Sequence, residues 1–171
     1  MNLRLLFSKS GYRRIKDDDE QVGIFGKIYT QFNGNLKGAI DFLKQVQGGE
    51  CVNVLYKKGI GYISLIWGNE GTKEKAYLDG FGLSHIIKAH ENELKQLGVT
   101  IEGVIQKLLK DGKVKHLNDR EILEADGFRM VIKTKYDNIE KTYVHTAYDL
   151  RPIRLKNAQR ASQISEIKKG N

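Results

Sequence analysis

The stretch GLSHIIKAHENEL, residues 82–94, holds two of the chain's four histidines, His85 and His90. An imidazole titrates near neutrality, so either residue can take up or release a proton at physiological pH. Their spacing limits what they can do together. A regular helix turns about 100° per residue, so positions five apart lie about 140° around its axis and point in different directions. Zinc held from one helix face needs ligands three or four residues apart, as in H-E-x-x-H, and no third His or Cys stands at a suitable interval. No metal site is therefore expected. Cys51 is the only thiol, and Ser84 beside His85 lacks the G-x-S-x-G surroundings of a strained nucleophile. Neither Gly-rich phosphate-loop pattern occurs, so no nucleotide cofactor is expected.

A phosphodiester asks for a different set of groups. Metal-free cleavage of RNA needs a base for the ribose 2′-hydroxyl, an acid for the departing 5′-oxygen, and cations or hydroxyls aimed at the non-bridging oxygens. His85 and His90 supply the proton-transferring type, while Lys133, Arg129, Lys135, Thr146 and Tyr148 supply cations and hydroxyls on two neighbouring strand-like runs. Each has a plainer reading. His90 falls in an apolar stripe where a core histidine is common, Lys133 and Lys135 fit a solvated strand face, and Thr146 and Tyr148 favour strands whatever they do. His116 in KVKHLNDR reads as a loop residue; His145 fits packing as well as chemistry, and the pattern assigns it no role.

The elements that must position these groups follow from periodicity. GNLKGAIDFLKQVQGG sets Leu36, Ile40, Leu43 and Val46 at helical spacing before a glycine stop. ECVNVLY and GYISLIWG flank KKGI as a hairpin, and NEGTKEKAYLDGFG is an exposed loop feeding the histidines. Leu83, Ile86, Ile87, His90, Leu94 and Leu97 predict an amphipathic helix. A second follows, capped by Thr100, with Ile101, Val104, Ile105 and Leu108 on one face and Gly112 as its end. REILEADG, FRMVIKTKYDN and KTYVHTAYDL then alternate as strands of an antiparallel meander. Strict alternation puts Phe128, Met130, Ile132 and Thr134 opposite Arg129, Val131, Lys133 and Lys135, and groups Thr142, Val144, Thr146 and Tyr148 on one face.

The expected class is α+β: N-terminal helices and a short hairpin, then a helix pair packed on the meander. Residues 1–33, with the acidic DDDE at 17–20 and the glycine-spaced QVGIFGKIYTQFNGN, read as a loosely structured lead-in. Residues 34–155 form the domain, and 156–171 a basic tail. The 29 Lys and Arg against 21 Asp and Glu leave a net charge of +8, which draws a protein toward phosphate polymers or acidic partners. No run approaches the roughly 18 apolar residues of a membrane span, and the apolar part of MNLRLLFSKSGYRRIK is too short for a signal peptide. The expected location is cytoplasmic, with no membrane contact.

GYISLIWGNEG, GFGLSHIIKAH and FRMVIKTKYDNIEKTYVHTAYDL together resemble the phage-associated nuclease domains of the barnase/EndoU/colicin/RelE superfamily. Those domains carry W-G, then G-L-x-H-I-I-x-x-H, then a strand ending T-x-Y. The matches are Trp67 and Gly68; Gly82, Leu83, His85, Ile86, Ile87 and His90; and Thr146 and Tyr148. GAIDFLKQVQGGE is similar to the family's lead-in helix, so the resemblance spans roughly residues 34–150. It implies a helix packed on an antiparallel sheet and a metal-independent endoribonuclease leaving 2′,3′-cyclic phosphate ends. A toxin of phage or bacterial conflict is implied, with tRNA or another structured RNA as substrate and an acidic immunity or antitoxin protein as partner. His85 becomes the leading acid/base residue and His90 the second. Lys133 becomes the phosphate-facing cation with Arg129 as rival, Lys135 a further RNA contact, and Thr146 and Tyr148 the groups that orient the phosphate. Two other classes stay open. One is a non-catalytic nucleic-acid-binding or structural module of a mobile element, and the other an effector transferring nucleotidyl or ADP-ribosyl groups.

Overall fold

The computed structural model describes residues 5–8, 11–14 and 21–169, with side chains described for 21–168. In chain order the strands and helices are β1 (Leu5–Ser8), β2 (Gly11–Arg14), β3 (Val22–Gly23), β4 (Gly26–Tyr29), α1 (Leu36–Val46), β5 (Glu50–Lys57) and β6 (Gly61–Ile66). They continue as α2 (Gly82–Gln96), α3 (Ile101–Asp111), β7 (Lys113–Leu117), β8 (Arg120–Ala125), β9 (Phe128–Tyr136), β10 (Ile139–Asp149) and α4 (Arg151–Lys169). Strands β1 and β2 pair only with each other. The rest form one eight-stranded sheet in the order β3-β4-β5-β6-β10-β9-β8-β7. With four α-helices among the described residues, the fold mixes α and β as the periodicity predicts. The sheet is antiparallel except where β4 meets β5 and β6 meets β10.

The elements with clear local signals form as their sequences dictate. In α1, Asn35 caps the helix by accepting from the Gly38 N–H, and Leu36, Ala39, Ile40 and Leu43 are buried, while Val46 points outward. In α3 the Thr100 hydroxyl accepts from the Gly103 N–H at 3.0 Å, and Ile101, Val104, Ile105 and Leu108 are the buried face. Gly112 ends α3 for want of space rather than by a left-handed turn. Its φ is −64°, and a Cβ there would lie 2.2 Å from the Leu108 carbonyl oxygen. These faces meet Leu123, Phe128, Met130, Ile132, Val144 and Ala147 of the sheet, and Leu83, Ile86 and Leu94 of α2, in one core.

Three expectations change. The glycine-spaced stretch after residue 20 is not loose: β3 and β4 form a hairpin, and β4 adds to β5 in parallel. Gly49, just ahead of β5, lets the two backbones approach closely, since a Cβ there would lie 2.4 Å from the Lys27 carbonyl oxygen. The acidic cluster 17–20 lies outside the described residues. Where N-terminal helices were expected, the described residues ahead of the β5–β6 hairpin hold one α-helix and four strands. KVKHL, read as loop, is the edge strand β7, and His116 stands on it against the Glu121 carboxylate. Lysines along an exposed edge discourage pairing with another chain. Residues 151–168 are exposed throughout as the helix α4, and no helix is long and apolar enough to cross a membrane among the described residues.

Candidate active site

Two glycines clamp the entry to α2. A Cβ on Gly68 would lie 2.1 Å from the Phe81 carbonyl oxygen, and one on Gly82 2.8 Å from that of Trp67, with both residues at positive φ (+74° and +79°). Backbone can approach backbone this closely only where no side chain intervenes. Asn69 and Phe81 then exchange N–H to carbonyl bonds of 2.9 and 2.8 Å. The loop between them is tied at its neck, where the Thr72 N–H donates to Asp79 at 2.8 Å and the Thr72 hydroxyl to the same carboxylate at 3.1 Å. The helix is thereby launched from the end of β6 with Leu83 and Ile86 in the core.

This start buries His85, which is only 6% exposed. Its Nδ1 lies 3.4 Å from the Glu70 carbonyl oxygen, an atom that can only accept. The hydrogen is therefore assigned to Nδ1, which leaves the Nε2 lone pair free. Burial lowers the pKa of His85, against the opposing pull of the Glu70 carbonyl and of Asp79. That shift favours the neutral ring at physiological pH.

His90 does not point away from it. The two imidazoles meet edge to face with centroids 5.2 Å apart, which corrects the expectation from spacing. Both reach past the helix surface toward β10, where His90 stacks on Tyr148 at 5.3 Å, so their separation around the axis is bridged by side-chain length. Burial, with His85 adding to it, pushes the pKa of His90 down to about 4.

Strand β10 departs from strict alternation, and the departure builds the rest of the site. Val144 pairs with Ile132 but Thr146 pairs with Val131, leaving His145 as an extra residue in a β-bulge. Val144 and Ala147 both lie in the core, whereas Thr146 and Tyr148 stand beside Val131 and Arg129 on the opposite face. Thr142, Val144, Thr146 and Tyr148 thus do not share a face as expected. Had the alternation held, Thr146 and Tyr148 would have followed Val144 inward. The bulge instead sets them on the face that carries Lys133, whose cross-strand partner is Tyr143.

His145 sits at the edge of a cavity of about 410 Å³ lined by Phe81, Asp119, Lys133, Lys135 and Tyr143 among others. Its ring is parallel to that of Phe81, with centroids 6.0 Å apart. Burial, then Lys133, His85 and Arg120, push its pKa down to about 4, with Asp119 opposing. The His145 Nδ1 and the Thr146 hydroxyl are buried with no hydrogen-bond partner among the described residues, a costly state for polar atoms. Phe25, in the turn between β3 and β4, packs on Tyr143 and Tyr136 at 4.9 and 4.8 Å and closes this end of the face.

The cations differ in freedom. Lys133 lies 4.0 Å from Asp119 and borders the cavity. Arg129 is committed: its Nε donates to Glu124 at 2.8 Å, its Nη2 joins the same oxygen, and its Nη1 donates to the Tyr148 hydroxyl at 3.4 Å. It is placed to hold Tyr148. Lys135 stands at the rim, half exposed and 3.2 Å from Glu140. Among the described residues, no group of three or more His, Cys, Asp or Glu side chains is arranged to hold a metal ion.

A sequence model of the phage-Barnase-EndoU-ColicinE5/D-RelE like nuclease 1 family matches residues 54–152, more than half of the 171. The chain belongs to this family. No curated protein and no solved structure matches it. The nuclease family's span takes in the hairpin from Val54 on, α2, α3 and the whole meander, and so every candidate residue named above. Helix α1 and Phe25 lie outside it. Membership makes the chain nuclease-like, with nucleic acid as the substrate class. Sequence reasoning left His145 without a role and did not see Phe25 or the Glu70 carbonyl. One signal for the bulge was present: Val144 and Ala147, both apolar and three apart, cannot share a face of an unbroken strand.

Proposed function

We propose that the protein is a metal-independent endoribonuclease that cleaves RNA by 2′-hydroxyl attack and leaves a 2′,3′-cyclic phosphate. The observation that carries this is a neutral His85, tethered through Nδ1 to the Glu70 carbonyl, standing beside a sheet face that bears Lys133, Thr146 and Tyr148. His85 Nε2 takes the 2′-hydroxyl proton, and the 2′-oxygen attacks phosphorus. Lys133 offsets charge on the non-bridging oxygens, and the Thr146 and Tyr148 hydroxyls donate to them. His90, packed edge-on to His85 and face-on to Tyr148, positions both. Arg129 orients the Tyr148 hydroxyl, and Lys135 meets the RNA backbone at the rim.

A role as a toxin in phage or bacterial conflict, acting on tRNA or another structured RNA in the target cell's cytoplasm, fits a phage family described as like colicin E5/D and RelE. The net charge of +8 fits an acidic immunity or antitoxin partner. The test is digestion of total RNA in excess EDTA with the 3′ ends mapped, repeated with His85→Ala. Cyclic phosphate ends formed by wild type and reduced on the order of 10²-fold or more in the variant are expected. Cleavage that EDTA abolishes, or that the variant retains in full, refutes the mechanism.

A further inference from the structure

The proposed reaction leaves one proton unassigned. When the P–O5′ bond breaks, the departing oxygen is a strong base and needs an acid beside it. His85, holding the 2′-hydroxyl proton, is on the attacking side. His90 is wedged between His85 and Tyr148, the Tyr148 hydroxyl is already assigned to a non-bridging oxygen, and His116 is paired with Glu121 on the far edge strand. His145 is the remaining histidine, and it borders the same cavity as Lys133.

We infer that His145 is the second acid/base residue of the site, protonating the departing 5′-oxygen while the leaving nucleoside occupies the 410 Å³ cavity beside it. This rests on the endoribonuclease reading and completes it. Three observations carry the assignment. The bulge at His145 is what turns Thr146 and Tyr148 to the Lys133 face, and His145 shares its cavity with Lys133. Its Nδ1 is buried and unpartnered among the described residues, as is the neighbouring Thr146 hydroxyl, and both become satisfied when a ligand rich in oxygen enters. The cavity is lined by Phe81, Tyr136 and Tyr143, rings of the kind that stack on bases, and by the cations Lys133 and Lys135.

The charges around the ring suit an acid that arms itself on binding. Lys133 from β9, Arg120 from β8 and His85 from α2 oppose its protonation, and Asp119 from the turn before β8 favours it. A phosphate placed on Lys133 cancels the largest of the opposing charge effects and draws a proton onto His145. The step then balances. The 2′-hydroxyl proton passes to His85, the O2′–P bond forms, the P–O5′ bond breaks, and His145 gives its proton to O5′. The products are a 2′,3′-cyclic phosphate and a 5′-hydroxyl, and solvent exchange returns both imidazoles to their starting states.

A dinucleotide in which sulfur replaces the departing 5′-oxygen separates this role from others, because a thiolate leaves without help from an acid. Wild type, His145→Ala, His145→Gln and His85→Ala are assayed on the oxygen and sulfur substrates, with melting temperatures recorded for each. Both His145 variants should fall on the order of 10²-fold or more on the oxygen substrate and recover to within about tenfold of wild type on the sulfur one. His85→Ala should stay slow on both. Folded His145 variants that are as slow on sulfur as on oxygen, or slow on neither, overturn the assignment and leave the endoribonuclease reading standing. Wild type that cleaves neither substrate nor any RNA overturns that reading itself.

Discussion

Acidification from pH 7 to pH 5 should remove up to about 4 kcal/mol of folding stability through two imidazoles. Burial foremost, aided by His85 for His90 and by Lys133 and His85 for His145, lowers each folded pKa from 6.5 to about 4. In the unfolded chain both titrate near the ordinary value of about 6.5. The contribution is therefore fully present above pH 6.5. As pH falls toward 4, the unfolded state binds protons that the folded state refuses, and stability is lost. At pH 5 the mismatch is about 1.5 pH units, which at about 1.36 kcal/mol per unit is roughly 2 kcal/mol per ring. The His90 side chain is 21% exposed, so this is an upper value for it. A small domain has about 5–15 kcal/mol in all. His85, lowered in the same direction, adds to the loss. Asp79 and Glu91, held below the usual carboxylate range, act only at lower pH. Urea unfolding followed by Trp67 fluorescence at pH 7, 6 and 5 measures the effect in wild type, His90→Gln and His145→Gln. Each variant should lose about 2 kcal/mol less than wild type over that interval. A flat wild-type profile, or variants that keep the full loss, refutes the reasoning.

Three further outcomes follow from other parts of the fold. Gly82→Ala forces a side chain into a left-handed position facing the Trp67 carbonyl; it should cost about 1–3 kcal/mol in thermal melts and slow RNA cleavage by displacing His85, and an unchanged melt counts against the clamp. Lys141→Ala strips the ion-pair partner from Glu50, whose carboxylate is fully buried; a loss of about 3–5 kcal/mol in chemical unfolding is expected, and a loss under 1 kcal/mol would show that water reaches Glu50. Thr100→Ala removes the α3 cap away from the site, so it should cost about 1 kcal/mol while RNA cleavage per folded molecule stays at the wild-type rate.

What the chain spells out locally could be read from it directly. Helices α1 and α3 carry their own caps and apolar faces, the β5–β6 hairpin has its glycine turn, and the meander's β9 alternates without a break. W-G and G-L-x-H-I-I-x-x-H are likewise contiguous, so the family was legible. Short strands were not. The two residues of β3 and the lysine-rich β7 have no periodicity of their own and exist because a neighbouring strand offers them hydrogen bonds. The same holds for the site's geometry. His85 and His90 meet because β10 lies alongside α2, a contact between residues more than fifty apart. Thr146 and Tyr148 join Lys133 because β10 accommodates an extra residue at His145 opposite β9, and a register is a property of two strands together. The types of group needed for phosphodiester chemistry were determined by the sequence alone; which of them face one another was decided only by pairing and packing, because those energies belong to contacts between distant segments.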